Sequence, residues 1–147
     1  MRYTTSIMWI VYAAGSAVAA SLVAIFGKIG LKEIDPTLAT IVRGVLMALI
    51  LVLAGFVFRK FDGFSLALFN GRAGIFIFLS ALAGALSWVL YFIALKTGPA
   101  SAVAVIDKLS VVFVILLAAL LLGEALTWKS VLGIVLTVAG SLLILFK

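Results

Sequence analysis

The chain has 147 residues, of which 67% are hydrophobic and 11% charged, and a formal net charge of +6. Soluble domains are about 45–50% apolar and about 25% charged, and a short domain leaves much of its surface in water. This composition excludes an ordinary water-soluble domain and makes lipid the solvent for most of the chain. There is no cysteine and no histidine, which excludes disulfides, thiol chemistry and the usual zinc sites. The basic residues are spread along the chain and mostly flank apolar runs, the pattern of membrane anchors rather than of a nucleic-acid surface.

In chain order, five apolar runs reach the roughly 20 residues that cross a bilayer. The first covers Ser6–Phe26. Arg2, this run and the small-residue stretch "AGSAVAA" loosely resemble a signal peptide, but the run continues without a break for a full span, so a retained helix is expected. The second run, Thr37–Phe58, follows Asp35-Pro36, an N-cap and first helical residue. The link "RKFDGFSLALFNGR" comes next. It puts Phe61, Phe64 and Leu68 at helical spacing between basic ends, which suits either an interfacial helix or a plain loop. The third run is Ala73–Leu95, and Gly98-Pro99 separates it from the fourth, Ala100–Gly123. Gly123 suits a helix C-terminus and Thr127 an N-cap for the fifth run, Trp128–Phe146.

Backbone groups in hydrocarbon must pair within their own segment, so the runs are expected to be helices. The alternation of a membrane β-barrel is absent. The fold class is therefore an all-α integral membrane protein of five transmembrane helices, with residues 1–147 as a single transmembrane domain. Ala13, Ala17, Ala20, Ala24 and Gly27 line the first span, and Gly133, Thr137 and Gly140 the fifth. Such stripes let membrane helices approach closely, within one chain or, for the fifth span, between two.

Five spans put the termini on opposite sides. One side holds Arg2, Arg59, Lys60, Arg72 and Lys129, and the other Lys28, Lys32, Lys96 and Lys147. Orientation normally follows a Lys/Arg excess. With five against four the excess nearly vanishes, and insertion in both orientations is expected.

Two charges interrupt the fourth run, Asp107 and Lys108, and one the second, Arg43. At 1.5 Å per residue, Arg43 lies about 10 Å along from Pro36 and Asp107 about 10 Å along from Ala100, both counted from the same side. Trp88 and Tyr91 reach similar depths from the end of the third span. The five residues are expected to form one layer. A charge costs about 2.5–3.5 kcal/mol at a helix centre, and the many Leu, Ile, Val and Phe of the fourth run roughly offset two of them. Asp107 could simply pair with Arg43, or with Lys108 of a second copy, while Lys108 snorkels outward. Alternatively the layer lines a water-filled cavity and holds a solute or a proton, the default for ionisable groups at this depth. Trp88 and Tyr91 are equally compatible with packing. Nothing in the chain matches a nucleophile–base pair, a phosphate-cradling glycine motif or a metal-ligand cluster, so neither an enzyme nor a cofactor is expected.

The stretch "YFIALKTGPASAVAVIDKLSVVFVILLAALLLGEALTWKSVLGIVLTVAGSLLI" resembles the end of an EamA repeat of the drug/metabolite transporter superfamily. The aromatic run before Ala94-Leu95-Lys96, the Leu122-Gly123-Glu124 turn and the Gly133/Gly140 helix carry the likeness. So do "FGKIGL" and Arg43 upstream. Typical members have two such repeats in ten spans with the halves inverted. This chain has one and looks like the short bacterial and archaeal branch. It lacks the fourth-span proline often present in longer members, and the first-span glutamate of the small multidrug exporters. The resemblance implies a transporter in the cell membrane of a bacterium or archaeon, handling a small metabolite or lipophilic compound by alternating access. It also implies an antiparallel homodimer, because inverted-repeat transporters place the site at the repeat interface. Asp107 would be the proton or cation handle, and Arg43 and Lys108 would orient an anionic group. Trp9 and Tyr12 would approach the partner's layer. A non-transporting assembly subunit, half of a heterodimeric transporter and half of a lipid-linked-sugar flippase are the alternatives.

Overall fold

The structure is a computed structural model that describes residues 2–65 and 69–146, with side chains from residue 8 onward. Among the described residues six helices follow one another: α1 (Arg2–Gly30), α2 (Pro36–Val57), α3 (Arg72–Thr97), α4 (Ala100–Asp107), α5 (Ser110–Leu122) and α6 (Trp128–Leu145). No strand occurs among the described residues. Five segments are long and apolar enough to cross a membrane: Met8–Gly30, Pro36–Val57, Arg72–Thr97, Ala100–Leu122 and Trp128–Leu145. They match the five runs of the sequence. The first and third extend further, because Lys28 and Lys96 complete their last turns instead of ending them.

The breaks follow cap chemistry. Asp35 accepts a hydrogen bond from Leu38 N at 2.9 Å, with Pro36 at the first helical position. Thr127 accepts one from Ser130 N at 3.2 Å, and Gly123 takes the left-handed conformation (φ 71°) that ends α5. The end of α2 has a Schellman arrangement, with Lys60 N donating to Gly55 O (2.8 Å) and Arg59 N to Phe56 O (3.1 Å). Arg59 takes the left-handed position (φ 50°) that glycine normally fills there.

The described start of the link after α2 is a series of turns through Gly63. Phe56, Phe61, Phe64 and Phe69 form a chain of rings with centroids 4.8, 6.0 and 6.0 Å apart. Leu68 lies outside the described residues. Gly74 is required where the link meets α3, since a Cβ there would overlap the Phe69 carbonyl.

The chain divides into two compact units. One contains Ile29–Lys96, that is, the last turn of α1 with α2 and α3. Its buried side chains are Leu31, Thr40, Phe92 and Leu95. The other contains α1 up to Lys28 together with α4, α5 and α6. There α4 and α5 both pack against α6, with Ala24, Val103 and Ser141 buried. Thr137 and Ser141 each return a hydroxyl to the carbonyl four residues back, at 2.8 Å, which satisfies both groups without water. Ala24, Leu31, Phe92, Leu95 and Val103 are the buried apolar side chains among the described residues. Most other large apolar side chains point outward, as expected where the solvent is hydrocarbon.

Candidate functional site

In the α2–α3 unit, Arg43 lies across the aromatic side of α3. Its guanidinium carbon is 4.6 Å from the Trp88 ring centroid and 5.2 Å from that of Phe92. The two rings share a face because they are four residues apart on α3. Counting helical rise in the sequence places Arg43 and Trp88 at one depth, and the structure brings them into contact. Tyr91, next along the helix, has its ring 6.2 Å from that of Phe92. Neither α2 nor α3 contains an aspartate or glutamate, and no acid of this unit ion-pairs with Arg43. The guanidinium Nη1 is buried and has no hydrogen-bond partner.

The lower end of this aromatic face is pinned by Lys96. Its ammonium donates to the carbonyls of Leu31, of Lys32 at 3.2 Å and of Ile34 at 3.4 Å, closing the link between α1 and α2. These carbonyls belong to the turn that follows α1, and the cation that holds them lies in the last turn of α3, where it answers that helix's dipole. In the other unit Lys28 does the same for the turn before α4, donating to Gly98 O at 2.8 Å.

The α1/α4–α6 unit contains Asp107 and Lys108. The fourth span is not continuous: α4 ends at Asp107 and α5 begins at Ser110. Between them the hydrogen bonds shorten to an i→i+3 pattern, with Leu109 N on Ile106 O (3.0 Å), Val111 N on Lys108 O (3.1 Å) and Val112 N on Leu109 O (3.0 Å). Such a stretch inside a helix marks a hinge or a strained sequence. No proline causes it. The break coincides with the two charges, and it lets neighbouring side chains converge. Lys108 Nζ lies 3.7 Å from Asp107 Oδ2, so the carboxylate pairs within its own chain. Asp107 is 39% and Lys108 59% exposed, so the pair is open to whatever lines that face. Tyr12, on α1 of the same unit, is exposed.

Of the residues singled out in the sequence, Arg43 meets Trp88 with Tyr91 alongside, and Asp107 meets Lys108. Phe92 was missed, although its place four residues after Trp88 marks it as the second ring of the stack. The helix break was missed for want of a proline. Lys28 and Lys96 fit the sequence pattern of interfacial anchors, and the structure adds their carbonyl contacts.

Five helical segments long and apolar enough to cross a bilayer define a multi-pass membrane protein. The chain belongs to the EamA-like transporter family, whose pattern matches residues 7–146, and it is a membrane transporter. It is 39% identical over 136 residues to a protein of Sinorhizobium sp described as an uncharacterized transporter in the cobO 3′ region. That match covers 92% of this chain and 95% of the relative, so the two are similar in length. No solved structure matches the chain.

Proposed function

We propose that this transporter moves a small metabolite or lipophilic compound by alternating access, as an antiparallel homodimer in the cell membrane of a bacterium or archaeon. Asp107 is the proton or cation handle. The observation that carries this is the coincidence of the helix break with the charge pair in the fourth span. Discontinuous membrane helices are where transporters bind solutes and coupling ions, because half-helix ends and unwound carbonyls supply partial charges in a medium without water. A break held by i→i+3 bonds also rearranges at low cost. The nearly even Lys/Arg count supports dual insertion, and one five-span chain rebuilds an inverted-repeat architecture by pairing with an upside-down copy.

Asp107→Asn tests the reading in proteoliposomes loaded with a pH-sensitive dye and screened against a panel of small solutes. Loss of solute-driven proton movement in Asp107→Asn, with dimer cross-linking intact, is the expected result. Unchanged flux with unchanged pH dependence would remove Asp107 from the mechanism. The self-neutralising Asp107–Lys108 pair favours a second reading, a non-transporting assembly subunit. In that case the substitution weakens the assembly and no solute moves even with the native chain.

A further inference from the structure

We propose that Arg43, Trp88 and Phe92 form a seat for the carboxylate of an organic monoanion with an apolar or aromatic body. The seat's purpose rests on the transport reading above, but its existence does not.

Arg43 lies about 10 Å along α2 from its start. Its charge is permanent, and its own unit supplies no counter-ion. The acids of that unit, Glu33, Asp35 and Asp62, are all in the links, and Asp35 is occupied in capping α2. Stacking on Trp88 and Phe92 covers the guanidinium face and leaves its N–H edge to bind. On that edge Nη1 is buried without an acceptor. A buried donor on a charged group is strongly disfavoured unless something completes it. The partner that completes it is an anion.

Three features narrow the anion. The edge of a guanidinium matches a planar two-oxygen acceptor, which is a carboxylate. A single cation neutralises a single charge. Lys96, in the exposed last turn of α3, is engaged by the carbonyls of Leu31, Lys32 and Ile34, so a dianion such as a phosphate monoester would stay half-compensated at Arg43. Trp88 and Phe92 lie against the guanidinium, with Tyr91 beside Phe92, and this aromatic wall favours an apolar body over a sugar or polyol.

The test uses the full chain in a neutral detergent with phosphatidylcholine. The three tryptophans are Trp9, Trp88 and Trp128, so Trp9→Phe with Trp128→Phe leaves Trp88 as the sole reporter. Benzoate and its neutral isostere benzamide are the probes. Benzoate is expected to change Trp88 emission saturably, and benzamide is not. Arg43→Gln should weaken benzoate about 10- to 100-fold, the usual cost of losing a charged hydrogen-bond partner. Arg43→Lys, which keeps the charge without the planar fork, should weaken it by an intermediate factor. It serves as the deciding variant if Arg43→Gln fails to fold. Equal responses to benzamide, no saturable response to benzoate, or native affinity in Arg43→Lys would overturn the proposal. So would a response to added phosphatidylglycerol with none to benzoate, because the seat would then hold a lipid phosphate. Failure of transport is distinguishable: benzoate binding would persist in detergent while proteoliposomes show no carboxylate flux.

Discussion

Lys96→Met should destabilise the protein through the α1–α2 link. Its ammonium donates to three carbonyls of the turn after α1: those of Leu31, of Lys32 at 3.2 Å and, weakly, of Ile34 at 3.4 Å. A hydrogen bond to a charged group contributes about 1.5–3 kcal/mol, and part of this is lost to water where the contacts are exposed. Lys96 itself is exposed, as are its contacts with Lys32 O and Ile34 O, so water replaces part of what methionine removes, while the Leu31 carbonyl beside the buried Leu31 and Leu95 side chains is the least easily rehydrated. A net loss of about 1 kcal/mol follows, roughly a fivefold shift in the folded-to-unfolded ratio. Titration with sodium dodecyl sulfate in mixed micelles, followed by circular dichroism, measures it. Lys32→Met is the control: it removes an equal charge from the same exposed region and leaves the Lys96 carbonyl contacts in place. A loss in Lys96→Met no larger than in Lys32→Met would show that charge at the interface, not carbonyl capping, is what Lys96 supplies. Because Lys96 ends the helix bearing Trp88 and Phe92, the variant should also loosen the Arg43 stack.

Arg59→Gly should stabilise the protein by about 1 kcal/mol in the same titration, since Arg59 holds a left-handed conformation at a helix end; no gain would mean that the Arg59 side chain makes up the strain. Gly74→Ala should reduce folded yield sharply, because the added methyl meets the Phe69 backbone. Gly84→Ala, with no atom within 4 Å of the new Cβ, should change stability by at most about 1 kcal/mol. Size-exclusion recovery after mild heating separates the two. In the transport assay, Asp107→Glu should retain solute-driven proton movement where Asp107→Asn loses it, since glutamate keeps a titratable oxygen near Lys108.

The elements that local chemistry determines were legible before any coordinates. Asp35-Pro36, Gly123 and Thr127 act through their own backbone and side-chain groups within a turn, so each boundary they mark falls where the sequence places it. The shared depth of Arg43 and Trp88 was legible too, because helical rise converts residue counts into depth; that the guanidinium would stack on the ring was not, since depth does not say which faces meet. The interruption at 108–109 was not. Its backbone angles remain right-handed, with φ −68° and ψ −14° at Lys108, and no residue there forbids a continuous helix. The choice between i→i+4 and i→i+3 bonding at that point reflects surroundings that residue-by-residue propensity does not contain. The carbonyl contacts of Lys28 and Lys96 were hidden for a related reason. A lysine at a membrane helix end satisfies the anchor pattern whether its ammonium meets water or a neighbouring turn.

The central claim is that two copies insert in opposite directions and pair into one transporter. The absence of cysteine makes a direct test available. A single cysteine is placed at Gly63 and, separately, at Lys147, on opposite sides of the membrane by the five-span count. Intact cells are labelled with a membrane-impermeant maleimide before and after permeabilisation. The account expects about half of the chains to label from outside at each position. Labelling of one position only would mean a single orientation and would contradict the antiparallel homodimer.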